Sequence, residues 1–317
     1  MKGIPIMGSK RKLSPQIVQA IRYRHPNATR FYDVFGGGGA ISLEALKYNW
    51  KVNYNELNTH VYKLLKYLRD NETLGDEFYE WYSREDFFNA LDAEPTYLTG
   101  FIMSCWSFGN KQQTYLFGRD TEDQKRLAHE IIVNRCEESA KQLDFKPFKT
   151  LFDIQDLHER RKSFCRYWKH KGERVDVQEL ERVQEYLQKS KLQSLQYLES
   201  LGRIQELERI QELDLTNLSY ENLSYENLSF DENSVIYCDP PYSNTAEYKE
   251  GGFDSDKFFE WFANLPFPAY LSEYNAPFEV IEQYAHRSTL SATNNAKKTI
   301  EKLYWNGKGK PTKYKLF

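Results

Sequence analysis

Val235-Ile236-Tyr237-Cys238-Asp239-Pro240-Pro241-Tyr242 is a compact apolar run closed by two prolines. Proline donates no ladder hydrogen bond and blocks a helix, so the run reads as a buried strand that must stop at Asp239. An acid at a strand's carboxyl end lies where ligands bind in open α/β sheets. The tetrapeptide also suits a definite chemistry. An amine attached to an aromatic ring is a weak nucleophile, and two fixed acceptors for its N–H groups favour the tetrahedral nitrogen formed during attack. The Asp239 carboxylate and the Pro240 carbonyl provide such a pair, and Tyr242 offers a ring for base stacking, worth roughly 1–3 kcal/mol. A turn with a buried tyrosine is the alternative, so a second motif has to decide.

That motif is Phe31-Tyr32-Asp33-Val34-Phe35 followed by Gly36-Gly37-Gly38-Gly39-Ala40-Ile41. It predicts a short strand, a glycine turn that admits a ligand close to the backbone, and a helix. The spacing differs from the G-x-G-x-x-G fingerprint of nicotinamide enzymes. A second strand, Val52–Asn55, ends at Glu56, at about the offset of the acid that binds ribose hydroxyls in nucleotide folds. A tight strand–helix connection would explain the glycines alone. It would not explain the acid and the Asp-Pro-Pro-Tyr in that order.

With these motifs in place, the chain resembles the Dam-type (class alpha, D12) DNA adenine-N6 methyltransferases. The resemblance runs from Gly8-Ser9-Lys10 through Asp33-x-Phe35-x-Gly37-x-Gly39 and Asn55-Glu56-Leu57-Asn58 to Asp239-Pro240-Pro241-Tyr242. Leu271–Asn275 resembles the family's strand beside the last motif. It implies that Lys10, Asp33, Phe35, Gly37, Gly39 and Glu56 hold S-adenosylmethionine. Asp239 would face both cofactor and target amine, while Pro240 and Tyr242 grip a flipped adenine. Ser224-Tyr225 would touch the cofactor's adenine from a short strand, although many relatives carry an acid where Ser224 stands.

Composition agrees with a soluble intracellular enzyme. The 317 residues are 40% hydrophobic, enough for a sizeable core and two units. No stretch reaches 18 apolar residues and no signal peptide is visible, so a cytoplasmic protein of prokaryotic or phage type, with no membrane partner, is expected. Cys105, Cys136, Cys165 and Cys238 are too scattered for a zinc site or disulfide framework and read as reduced core thiols. The net charge of −3 argues against DNA binding, but the charge is uneven: seven lysines face one glutamate from Ser288 to Phe317. Lys308 and Lys310, with Tyr304, Trp305 and Tyr314 interleaved, suit phosphate contact; a solvated tail is the plain alternative.

About 180 residues separate the Glu56 strand from Asp239, far more than a connection needs. Their first part, from His60 to about Asp153, has helical spacing at Val61, Leu64, Leu65 and Leu68 and again around Phe87–Leu91. Ser104–Arg119 breaks this pattern with glycines, amides and cations among aromatics. Asn110, Lys111, Gln112 and Arg119 are suited to a base edge and its phosphates, unless the stretch is simply an aromatic loop packed on its domain. The resemblance adds a glycine- and asparagine-rich loop in the family's corresponding stretch.

Two tandem repeats follow. Arg-Ile-Gln-Glu-Leu stands at 203–207 and 209–213, within apolar residues recurring every third position from Leu192 to Leu213. That period turns by about 60° per step on a helix, so a single buried face is not expected, and the segment reads as a tolerated, partly helical insertion. Ser-Tyr-Glu-Asn-Leu stands at 219–223 and 224–228. Units this short are unlike solenoid repeats.

The sequence therefore predicts an α/β fold: a Rossmann-like S-adenosylmethionine-dependent methyltransferase sheet with an inserted, mainly helical target-recognition domain. Residues 1–59 and 215–317 would form the methyltransferase domain, 60–178 the recognition domain and 179–214 the repeat insertion. The expected reaction is direct methyl transfer to N6 of an adenine flipped from duplex DNA, with no metal and no covalent intermediate. Ser243–Gly252 would close over the flipped base, or be a plain surface loop. Cytosine-N4 methylation, RNA or free-base methylation, and an inactive DNA- or cofactor-binding relative are the rivals. A cognate restriction endonuclease is an allowed partner.

Overall fold

The computed structural model describes residues 3–173, 194–195, 198–241, 253–287 and 298–309. Two compact units emerge, one from Met1–Ile4, Gly8–Lys66 and Leu213–Phe317, the other from Pro5–Met7 and Tyr67–Glu212. The described helices are α1 (Ser14–Arg24), α2 (Ala40–Ala45), α3 (Thr59–Asp70), α4 (Arg84–Asp92), α5 (Tyr97–Cys105), α6 (Glu122–Asn134), α7 (Glu137–Gln142), α8 (Phe148–Phe152), α9 (Leu157–Glu173), α10 (Glu199–Gln211) and α11 (Ser255–Asn264). The strands are β1 (Arg30–Asp33), β2 (Lys51–Asn55), β3 (Leu218–Glu221), β4 (Ser234–Cys238), β5 (Ala269–Glu273), β6 (Glu279–Arg287) and β7 (Lys298–Trp305).

All seven described strands form one sheet in the first unit, in the order β3-β2-β1-β4-β5-β7-β6. The first five run parallel, and β7 is antiparallel to both β5 and β6. Every residue of β4 and β5 is buried, polar Ser234, Ser272 and Glu273 included, as in strands covered on both faces. One face carries Tyr32, Val34, Ile236, Cys238, Ala269 and Leu271 against Phe258 and Phe262 of α11. Tyr304, expected among surface aromatics of the basic end, belongs to this core and donates to the Tyr274 carbonyl at 3.2 Å. None of the four cysteines is in a disulfide; Cys105 and Cys238 are buried, but Cys136 and Cys165 are only half-buried.

The second unit is helical. Its centre departs from the sequence expectation, because α10, built from the Arg-Ile-Gln-Glu-Leu copies, buries Leu201, Ile204, Leu207 and Ile210 completely. The three-residue period does sweep these side chains through about half the helix circumference. That arc is covered because α10 packs against α5, α9 and the 3-10 turn Asp76–Tyr79 together. A helix covered on several sides needs no single stripe.

Candidate active site

The strand order reverses between β1 and β4, with β2 and β3 continuing on one side and β5, β7 and β6 on the other. Such a switch point is where a crevice opens at the strands' carboxyl ends. Asp33 is the last residue of β1, in register with Tyr237, and Asp239 follows the last residue of β4. Two acids thus stand at neighbouring strand ends. Asp33 is buried, and its Oδ2 accepts from the Ser42 backbone N–H at 3.1 Å and hydroxyl at 2.7 Å, both on α2. Its Oδ1 is buried without a hydrogen-bond partner among the described residues. Burial pushes the carboxyl up to about 7, against the Ser42 hydroxyl bond that favours the anion, while the Asp239 charge adds to the rise.

The glycine turn brings backbone close to backbone. The Ile4 N–H donates to the Gly38 carbonyl at 2.7 Å, and a Cβ on Gly38 would stand 2.2 Å from the Ile4 carbonyl oxygen. Gly39 then starts α2 at φ 77°, the left-handed region open to glycine. Gly37 donates its N–H to Glu56 Oε2 at 2.7 Å, and the Asn58 N–H reaches Glu56 Oε1 at 2.8 Å. Burial raises the Glu56 pKa, opposed by these two N–H groups. Asn58 in turn accepts from the His60 and Val61 N–H groups at the start of α3. Asn55, quoted in the motif without a role, is a latch: its amide donates to the Val34 and Leu223 carbonyls at 2.9 and 3.0 Å and accepts from the Leu223 N–H.

Lys10 is brought to Asp239, with Nζ 2.7 Å from Oδ1, and also lies 3.1 Å from Glu301 Oε1 on β7. Burial would lower the ammonium's pKa, but the charges of Asp239 and Glu301 outweigh it and hold the pKa above its ordinary value. Glu301 escaped the sequence reading, although it is the one glutamate among the seven lysines of Ser288–Phe317. Pro240 is buried behind Asp239. Tyr242, the Ser243–Gly252 segment and Lys310 lie outside the described residues.

Phe35 makes ring contacts with Tyr225, Phe253 and Phe258, so two sequence-predicted cofactor residues share one aromatic wall. The expected short strand does not hold Ser224 and Tyr225: β3 takes Ser219–Glu221 of the first pentapeptide copy, and Tyr225–Asn227 beyond it forms a 3-10 turn. The first copy has β2 to pair with, in register Val52 to Leu218, and the second lies past that strand's end.

In the helical unit the candidate DNA-contacting loop is a small hairpin. Ser107 bridges Tyr115, and backbone bonds join Phe108 to Thr114 and Leu116 to Trp106. Gly109, Asn110 and Gln112 all have positive φ near 60° at its tip. Lys111 and Arg119 are exposed, and Phe108 is 64% exposed. Gln112, by contrast, spends its amide inside the loop, donating to Ser104 Oγ at 2.9 Å. The aromatics around the tip pack inward, with Trp106, Tyr115 and Phe117 all buried. Arg203 of the first repeat copy, another residue the sequence reading missed, donates to the Cys105 and Ser107 carbonyls at 2.9 and 2.8 Å and so holds the hairpin's base.

Among the described residues no helix is long and apolar enough to cross a membrane. No curated protein matches the chain. A family model does, that of the D12 class N6 adenine-specific DNA methyltransferases, over residues 7–304. The match spans the glycine turn, the helical unit, the acid at the end of β4 and β7, and favours adenine N6 over cytosine N4 as the methylated position. The chain belongs to the D12 class N6 adenine-specific DNA methyltransferase family, and its reaction is methylation of adenine N6 in DNA.

Proposed function

We propose that the methyl donor is S-adenosylmethionine, held by the first unit, and that the acceptor is an adenine turned out of duplex DNA and gripped by Asp239, Pro240 and Tyr242. The observation that carries this is the pair of acids at the ends of the adjacent strands β1 and β4, one of them with a buried oxygen lacking a partner among the described residues. S-adenosylmethionine supplies, when bound, a methyl group activated on a sulfonium.

The residues present fit that molecule. Asp33 Oδ1 suits a cationic amine, and Lys10 offers the opposite charge, matching the two ends of an amino acid. Glu56, fixed by the Gly37 and Asn58 N–H groups, is placed for ribose hydroxyls. Gly37 and Gly39 keep the turn open to a ligand, and Phe35, Ser224 and Tyr225 form the wall suited to an adenine ring. On the acceptor side, the Asp239 carboxylate and the Pro240 carbonyl would each take one N–H of N6, orienting its lone pair for in-line attack. Taking the base out of its stack brings the amine within reach of groups a duplex would hide.

The helical unit is the proposed target-recognition domain. Its hairpin presents Lys111, with Asn110 at the tip and the exposed Arg119 just past the hairpin, while Gln112 acts by shaping the loop. Lys308 and Lys310 would add phosphate contacts.

Tritiated methyl transfer to unmethylated duplex DNA, wild type beside Asp239→Ala, tests the assignment, with the modified base identified by mass spectrometry. N6-methyladenine from the wild type and none from the variant is expected. Wild-type turnover by Asp239→Ala would refute the catalytic role of that acid.

A further inference from the structure

We propose that the outer face of α9 is a second contact surface for the phosphate backbone of duplex DNA, separate from the hairpin and blind to sequence. This rests on DNA being the substrate and not on the role of the hairpin. At about 100° per residue, Lys162, Arg166 and Lys169 fall within about 60° of one another around the helix, with His170 at the border of that arc. All four are exposed, while Arg160, Phe164 and Trp168 on the other side are buried. The inward cations are spent within the protein. Arg160 donates to the Ile132 and Ile154 carbonyls at 2.7 and 2.9 Å, and Arg161 donates to Gln205 Oε1 on α10 at 3.1 Å. Outside, Arg166 and Lys169 make no ion pair or hydrogen bond among the described residues. Among the described side chains Glu159 is the one acid on this face, and Lys162 pairs with it at 2.7 Å with both side chains more than half exposed.

A solvated charged face is the plain alternative, and the spacing argues against it. Lys162 and Arg166 are four apart and Arg166 and Lys169 three apart, and like charges at those spacings destabilise a helix. The helix dipole favours cations in the last turn, which accounts for Lys169 and His170. It does not reach Lys162 and Arg166, about three and two turns before the end at Glu173. From Lys162 to His170 the sequence holds no acid, although the whole chain carries a net charge of −3. Mutual repulsion of this kind is relieved by a polyanion. Lys162 to Lys169 covers about 10 Å of helix axis, a length over which a DNA duplex presents about six phosphates. The face is also firmly based, since Phe164 and Trp168 beneath it pack with Phe145 at ring separations of 4.9 and 6.3 Å.

The test measures binding of an unmethylated mixed-sequence duplex to the full chain by fluorescence anisotropy across a salt series, beside cofactor affinity and kcat. In the triple variant Lys162→Gln, Arg166→Gln, Lys169→Gln, DNA affinity should fall on the order of ten- to a hundredfold. The slope of log affinity against log salt should flatten by about 2–3, since each phosphate contact contributes about 0.9. Cofactor affinity and kcat at saturating DNA should stay at wild-type values while KM for DNA rises. Arg166→Gln alone should flatten the slope by about 1, and it decides the matter should the triple variant fail to fold. Lys51→Gln removes one exposed charge from β2 and controls for net charge; a slope change equal to that of Arg166→Gln would overturn the proposal. Wild-type affinity and slope in the triple variant would overturn it too, including the case in which the melting temperature falls because another part of the chain covers the face. Lys111→Gln, run in parallel, reports on the hairpin by itself: a silent Lys111 beside a weakened triple variant would retire the hairpin reading and support this one.

Discussion

Deleting Arg203–Glu208, one unit of the first repeat, separates what the repeat looks like from what it does. The deletion slides Arg209–Leu213 into the place of Arg203–Leu207 with no change of letter, so the anchors at Ile204, Leu207 and Arg203 are refilled. Beyond them the substitutions differ. Asp214 takes the place of Glu208, which accepts from Tyr79 Oη at 2.6 Å and pairs with His158. Thr216 takes the place of the fully buried Ile210. The residues that connect α10 to β3, Glu212–Asn217, are drawn into the positions of the helix's last turn. Losing a buried isoleucine costs roughly 2–5 kcal/mol. Disrupting the Glu208 hydrogen bonds adds about 1–3 kcal/mol. A total of about 3–8 kcal/mol is a large part of the 5–15 kcal/mol that usually separates folded from unfolded chains. In urea unfolding followed by tryptophan fluorescence, with Trp106 and Trp168 buried in the helical unit, the transition should move down by on the order of 1 M or more. Methylation should fall with it near the transition. An unchanged midpoint and full activity would refute this account and restore the expectation, drawn from the sequence, that the unit is dispensable.

Further outcomes follow from the site and the loop. Asp33 has a folded pKa of about 7 against an ordinary 3.8, so the folded protein without ligand binds the extra proton between those values, and stability falls as pH rises from about 4 to 7 and then levels. Asp33→Asn should flatten that dependence in pH-resolved melting. Because a cationic ligand needs the carboxylate, affinity for S-adenosylmethionine should rise by up to about tenfold per pH unit towards pH 7, measured by calorimetry, and a flat profile would remove Asp33 from the site. Gly38→Ala would set a Cβ 2.2 Å from the Ile4 carbonyl oxygen and should lower both the melting temperature and cofactor affinity. Arg203→Ala, which frees the carbonyls of Cys105 and Ser107, should weaken DNA binding while leaving the affinity for cofactor unchanged; equal loss of both would contradict a role confined to the hairpin.

The sequence by itself determined what neighbouring residues enforce on one another. Two prolines after a buried apolar run stop β4 at Asp239 wherever the rest of the chain goes, because the ring fixes φ and removes a donor. The glycine turn between β1 and α2 and the helical spacing of α3 were legible for the same local reason. Only the tertiary structure decided the rest. The first copy of Ser-Tyr-Glu-Asn-Leu is strand at 219–221, whereas the second holds a 3-10 turn at Tyr225–Asn227, because only the first copy lies beside β2. Arg203 and Arg209 are the same residue in the same pentapeptide, yet one clasps a hairpin and the other is exposed, since the copies meet different neighbours. Lys10 and Asp239 stand 229 positions apart, and Glu301 was a solitary acid among lysines until β7 brought it to the same ammonium. Local rules fix where a strand ends; which charges gather at that end depends on contacts between residues far apart in the chain.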